Sequence, residues 1–300
     1  MKMIIPRGTQ PDELLATDIP EDDTYSEWDA VTNYSTDDVV YVAADRLRYS
    51  AAAASTNKPP ADNPDLWTPY GAATRWRPFD GVIARYASRA TSLYYQFQPA
   101  ALCDGIALFN LAGGDVQIEI ENASAETVYD ETHQLVDKSG LRNWKDWMAW
   151  QPSYRGSLVV TQLPIWPGYK VKTTCTVGSG SDARLGELVI GRTVVLGRSM
   201  AGGEFSFDDY SLTERDSTGA LDIVEGGYSK NLVYEFLIER GDEERVMELL
   251  ISRRAKPTVF LTDESHKGIG TTTFGLPVRP RIVYDAGPHS VCRFNVEDVL

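Results

Sequence analysis

The sequence has little of what catalytic and metal-binding sites are usually built from. Its 300 residues contain three cysteines, Cys103, Cys175 and Cys292, and three histidines, His133, His266 and His289. No CxxC pair occurs, so no zinc site is expected, and the widely spaced, odd-numbered thiols read as buried and reduced. No histidine has a second histidine four residues on, which removes the HExxH zincin class. A GxSxG elbow, a P-loop and a GxGxxG fingerprint are also missing. Gly178-Ser179-Gly180-Ser181-Asp182 comes nearest to the first of these and reads as a loop. No apolar run reaches eighteen residues, so no membrane-inserted helix is expected. The first residues, Met1 to Arg7, lack the apolar stretch of a signal peptide. Positive charge is scarce as well: 29 Lys and Arg stand against 43 Asp and Glu, a net charge of -14. Nucleic-acid binding needs clustered cations that displace counterions from phosphate, so that partner class is not expected.

What is present is the material of β-structure. Apolar residues make up 42% of the chain and aromatics 10%, enough to build cores, while 24 glycines and 16 prolines favour short elements joined by turns. The expected fold class is mainly β: a small aromatic-rich β module followed by two β-sandwich-like domains, the last with one helix. Residues 1-22 read as an extended N-terminal arm, broken by Pro6, Pro11 and Pro20 and closed by Glu21-Asp22-Asp23. Such a segment buries little by itself.

Residues 23-75 form the aromatic unit, anchored by Tyr25, Trp28, Tyr34, Tyr41, Tyr49 and Trp67. Val39-Val40-Tyr41-Val42 and Arg46-Leu47-Arg48-Tyr49 read as a hairpin turning through Ala43-Ala44-Asp45. Residues 76-196 show period-2 alternation: Val116, Ile118 and Ile120 interleave with Gln117, Glu119 and Glu121. Leu158-Val159-Val160, Val171 to Val177, Leu188-Val189-Ile190 and Thr193 to Leu196 add further strands, the pattern of an antiparallel sandwich. Within this unit Trp144, Trp147 and Trp150 recur every three residues and would line one helical face. In residues 197-300, Leu232 to Ile238, Thr258 to Leu261, Arg281 to Tyr284 and Val291 to Val296 read as strands. The one helix expected there, about Asp242 to Arg253, places acids in its first turn, where the dipole favours them.

With 43 acids, no glycosidase-type carboxylate pair can be singled out by counting. Asp37-Asp38 and Asp208-Asp209 read as solvated turns. Binding is therefore the expected role, and aromatic rings that stack on the CH faces of sugars are its natural carriers.

At this point the residues point to a family. Trp28, Tyr34, Val40, Tyr49, Ala51, Pro60 and Trp67 follow the order and spacing of the small chitin-binding module attached to many chitinases, and residues 23-75 resemble it as a carbohydrate-binding-module-like domain. Where that family carries exposed aromatics after Tyr-x-Ala, this chain has Ala52, Ala53, Ala54 and Ser55. The resemblance therefore leaves Tyr41, Tyr49, Trp67 and Tyr70 as the candidate glycan-binding residues. The rest is similar to tailed-phage tail-tip or baseplate proteins. Arg75-Trp76-Arg77-Pro78-Phe79-Asp80-Gly81 follows the module, and Gly186 to Arg192, Asp209-Tyr210-Ser211 and Ala255-Lys256-Pro257 add to the likeness.

This resemblance implies a non-enzymatic structural component of the virion tail, made in the host cytoplasm, without cofactor or metal. It implies other tail proteins and further copies of the chain as partners, a homotrimer being preferred, and host-surface glycan as the candidate ligand. Trp144, Trp147, Trp150 and Trp166 are the candidate subunit-interface residues. The alternatives are a secreted or released protein that binds or degrades glycans, and an intracellular adaptor of non-viral origin.

Overall fold

A computed structural model describes residues 1-9, 11-138, 140-200, 203-215, 219, 221-262, 272-284 and 287-299. The protein is mainly β. Its spine is a ten-stranded antiparallel sheet. From one edge the order runs Ser157–Val160, Gly105–Phe109, Glu187–Val195, Lys2–Pro6, Thr258–Leu261, Thr272–Val283, His289–Asp298, Tyr228–Glu239 and Arg198–Ser199, with Glu204–Asp209 also paired to Tyr228–Glu239. A second, five-stranded sheet has the order Thr127–Gln134, Asp115–Glu121, Lys170–Thr176, Ser92–Phe97, Leu14–Thr17.

The two sheets pack face to face over the first part of the spine. Val116, Ile118 and Ile120 point inward from one sheet, and Ile106, Leu108, Leu188 and Ile190 meet them from the other in one core cluster. Their polar neighbours Gln117, Glu119 and Glu121 face outward and are half-buried, as the period-2 pattern requires. On the opposite face of the spine, Ala107, Phe109, Val189 and Val259 pack with Phe274, whose ring stacks on Phe109 at 5.7 Å. This is why Gly105–Phe109 is buried at every position.

The expected N-terminal arm takes a different place. Lys2–Pro6 lies inside the spine, paired on one side with Glu187–Val195 and on the other with Thr258–Leu261. Met3 and Ile4 are fully buried, and the terminal amine of Met1 donates to the Gly197 carbonyl at 2.7 Å. Leu14–Thr17 forms the edge of the second sheet. Of the prolines that marked the segment as an arm, Pro6 is the last residue of the first strand, Pro11 opens the 3-10 turn before the second and Pro20 lies beyond it, so none falls in a strand interior. A division at residue 196 falls within a continuous sheet, because Lys2–Pro6 joins the strands of residues 76-196 to those of 197-300.

The helix occupies Glu243–Ser252, flanked by Asp242 and Arg253. Val246 and Leu250 are buried and Leu249 packs beside them against Phe260, Phe294 and Tyr234 of the spine. Glu243 and Glu244 occupy its first turn, and Ser290 on a neighbouring strand donates to Glu243 at 2.8 Å.

The aromatic module is a three-stranded sheet, Val39–Val42, Leu47–Ala51 and Trp67–Ala72, with a short Asn33–Tyr34/Ser55–Thr56 pair beside it. The hairpin turns through residues 43-46, and Arg46 takes the left-handed conformation that closes it (φ 63°).

Candidate functional site

Tyr49 and Trp67 belong to the core of the module. Trp67 is 1% exposed, its indole N–H donates to the Lys58 carbonyl at 3.0 Å, and Tyr34 meets its ring edge-on at 5.3 Å. The Tyr49 hydroxyl donates to Asp45 at 3.1 Å and its ring packs with Val40 and Ala51. Neither presents a ring face to solvent, so neither can stack on a sugar. A module of this size needs its largest aromatics inside, since few other residues could supply the buried area.

Tyr41 is half-buried and packs against Ala72, Ala73 and Trp76 at the module's base. Tyr70 behaves differently. It projects from Trp67–Ala72 at 56% exposure. Its ring meets Tyr25 in a T-shaped contact at 6.3 Å, and the Arg48 guanidinium lies 5.0 Å from the centre of the Tyr25 ring on the protein side. Tyr25 and Tyr70 are thus an aromatic pair with a buried cation behind it. Tyr25, which sequence reasoning treated only as a core anchor, is the partner that this reasoning missed.

Arg48 is itself anchored. It donates to Asp22 at 2.9 Å and to the Thr74 hydroxyl at 2.9 Å. Burial alone would raise the Asp22 carboxyl, but hydrogen bonds from Arg48 and from the Thr24 and Tyr25 amides outweigh it and hold the pKa below the ordinary value. Asp22 ends the N-terminal segment, Arg48 belongs to the module, and Thr74 begins the connection to the spine. One buried ion pair therefore fixes all three, and removing either charge leaves the other buried and uncompensated.

The Arg75-to-Gly81 motif is the junction. Residues Thr74–Phe79 form a 3-10 helix. Arg75 pairs with Glu21 and donates to the Ile19 carbonyl at 3.1 Å. Trp76 lies under the Arg46 guanidinium at 5.1 Å, and Phe79 reaches Tyr95 of the second sheet at 5.6 Å. The Gly81 amide then donates to Glu187 of the spine at 3.0 Å.

Glu187 lies beside a cavity of about 240 Å³ that is also lined by Arg7, Phe79, Asp80, Pro257 and Phe274. Burial, with Asp80 as a second cause, pushes its carboxyl up to about 9 against the pull of the Gly81 N–H. Burial likewise raises Asp80, more than the hydrogen bonds from Val82 and Arg85 lower it. Glu187 is therefore a protonated acid at neutral pH, next to a second carboxyl. Sequence reasoning could not select this pair from 43 acids separated by this much chain.

Three of the four tryptophan candidates are uncovered. Trp144–Met148 is a short helix whose first amides, those of Lys145 and Asp146, are capped by the Asn143 side chain at 3.0 Å each. Trp144 is 75% exposed and Trp147 67%, and Met148 is exposed beside them. Trp166 is exposed in a separate loop, and Trp150 is half-buried. The spacing did place Trp144 and Trp147 on a helix; Trp150 lies just beyond it.

All three cysteines are buried and free, and burial pushes Cys175 and Cys292 up to about 12. Among the described residues no group of three or more His, Cys, Asp or Glu could hold a metal ion, and no helix is long and apolar enough to cross a membrane. His266 lies outside the described residues. No protein-family model, curated protein or solved structure matches the chain.

Proposed function

We propose that this chain is a structural component of a phage tail tip or baseplate whose small aromatic module contributes to attachment at host-surface glycan. The observation that carries the reading is the amount of apolar surface left uncovered on two elements: Trp144, Trp147 and Met148 on a short helix, and Phe205, Phe207, Leu212 and Ile223 on β-strands. Surface of this kind is buried when subunits assemble, and a virion subunit is a protein whose working state is the assembly. Support also comes from the Arg75-to-Gly81 motif, which clamps the module to the spine and so gives it a fixed orientation. Tyr70 and Tyr25 are the sugar-facing residues on this reading, with affinity arising from several weak copies presented together. The direct test is mass spectrometry of purified virions from the source of this chain. The reading expects the chain in intact particles at a copy number divisible by three; its absence from every particle would end it.

The second reading, a protein that cleaves glycans, draws on one observation, the protonated Glu187 beside Asp80 at a cavity. Turnover of host-envelope polysaccharide by the purified chain, abolished in Glu187→Gln, would favour it. The structural reading expects no turnover in either protein.

A further inference from the structure

Two exposed parts of this chain carry apolar side chains that its own body does not cover, and their charges are opposite. The first is a β-arm. Glu204–Asp209 pairs with the beginning of Tyr228–Glu239, and the ribbon continues outward as Leu212–Arg215 paired with Leu221–Val224. Every residue of Glu204–Asp209, Leu212–Arg215 and Leu221–Val224 is exposed. A two-stranded ribbon with no surface to rest on is marginal in water. Apolar side chains occupy both of its faces: Leu212 faces Val224 across the ribbon, while Ile223 lies on the other side. Glu214 stands directly opposite Asp222, a like-charge cross-strand pair that destabilises the ribbon unless a cation meets it. Between residues 204 and 228 the sequence has seven acids and a single base, Arg215.

The second part is the tryptophan ribbon. Val136–Asp137 pairs with Ser153–Tyr154, and the segment between them carries Trp144, Trp147 and Met148 into solvent. Lys138, Arg142 and Lys145 belong to the same segment and Arg155 directly follows its second strand, all exposed. Only Asp137 and Asp146 offset them between residues 136 and 155. This is a net positive apolar surface on a protein of net charge -14.

We infer that the acidic arm of one copy docks on the tryptophan ribbon of the next copy, head to tail. The inference rests on the assembly reading above and names the two surfaces that make the contact. Apolar side chains of arm and ribbon exclude water together, and Arg142 and Lys145 of the receiving copy neutralise the facing Glu214 and Asp222. Made head to tail, the contact is heterologous, and its repetition gives a ring where the rotation closes and a helical filament where it does not. A dimer that opposed arm to arm would bring Glu214 and Asp222 against their own copies.

The test is charge exchange in the full chain, read by analytical ultracentrifugation. Glu214→Lys with Asp222→Lys, and separately Arg142→Glu with Lys145→Glu, are each expected to weaken self-association by about tenfold or more. All four substitutions together are expected to restore it, because the charges are exchanged and remain complementary. All four positions are exposed, so circular dichroism should stay that of the parent. A second readout mixes a copy carrying Leu212→Cys, on the same ribbon face as Glu214 and Asp222, with a copy carrying Trp147→Cys. A disulfide-linked dimer of the two is expected from the mixture, with little from either copy alone, the native cysteines being buried. If the arm variant dissociates and the ribbon variant assembles like the parent, the arm docks elsewhere and the inference is overturned while the assembly reading stands. If the four-fold variant does not recover, charge pairing between these surfaces is refuted. A parent chain that is monomeric at every concentration overturns both.

Discussion

Trp67 and Tyr70 lie three residues apart on one strand and have opposite roles. Trp67→Ala removes the largest buried ring of the module and should cost about 3–5 kcal/mol of stability, measured by urea unfolding. Tyr70→Ala removes an exposed ring, should change stability by no more than about 0.5 kcal/mol, and should reduce retention of the chain on host envelope. Equal stability losses in the two variants would contradict this assignment. Glu187 offers a test by pH. Its folded pKa is raised from the ordinary 4.5 to about 9, chiefly by burial and then by Asp80. A raised carboxyl contributes its full stability below 4.5, where folded and unfolded chains are both protonated. Between 4.5 and about 9 the unfolded chain releases the proton and the folded chain keeps it, so stability falls as pH rises, and it levels off above 9. Glu187→Gln should remove that slope, which thermal unfolding across pH 5 to 10 will show. An unchanged slope would place the carboxyl in water. The burial of Trp67 follows from composition, because a module of about fifty residues has few other groups to bury. Tyr25 was not legible as a surface residue, because its pairing with Tyr70 depends on the fold.

At the scale of elements, local pattern was a good guide where the partner surface was also local. The period-2 run Val116 to Glu121 is a strand with the expected inward set. The helix starts and stops within a residue of its expected ends, because its acids, its apolar spacing and the proline after it are all local signals. Leu250→Ala should therefore destabilise by about 2–5 kcal/mol, seen as a lower urea midpoint, since Leu250 fills the contact between helix and spine. Lys2–Pro6 was not legible. Its neighbours in the sheet are Glu187–Val195 and Thr258–Leu261, and nothing in a five-residue run records partners so distant in sequence. The prolines that follow pointed to an arm, and long-range pairing overrode them. The Arg75-to-Gly81 motif was legible as a marker, and its mechanical role as a clamp came only with the fold.

The whole molecule is a single spine onto which a sandwich layer, a helix and a module are fastened, with the N-terminal segment threading through all of it. Deleting residues 1-7 leaves Glu187–Val195 and Thr258–Leu261 without the strand between them, each with an unpaired edge. That truncation should give aggregated or unfolded protein by size-exclusion chromatography, whereas a true arm could be removed without loss. The molecule also carries two uncovered elements of opposite charge, which the proposed head-to-tail contact would bury against each other. Cryo-electron microscopy of virions from the source of this chain tests the proposal most directly. The expected result is a symmetric ring of spines at the tail tip, with the acidic arm of each copy on the tryptophan ribbon of its neighbour and residues 23-75 facing outward. A particle whose tail tip is complete without density for this chain would contradict it.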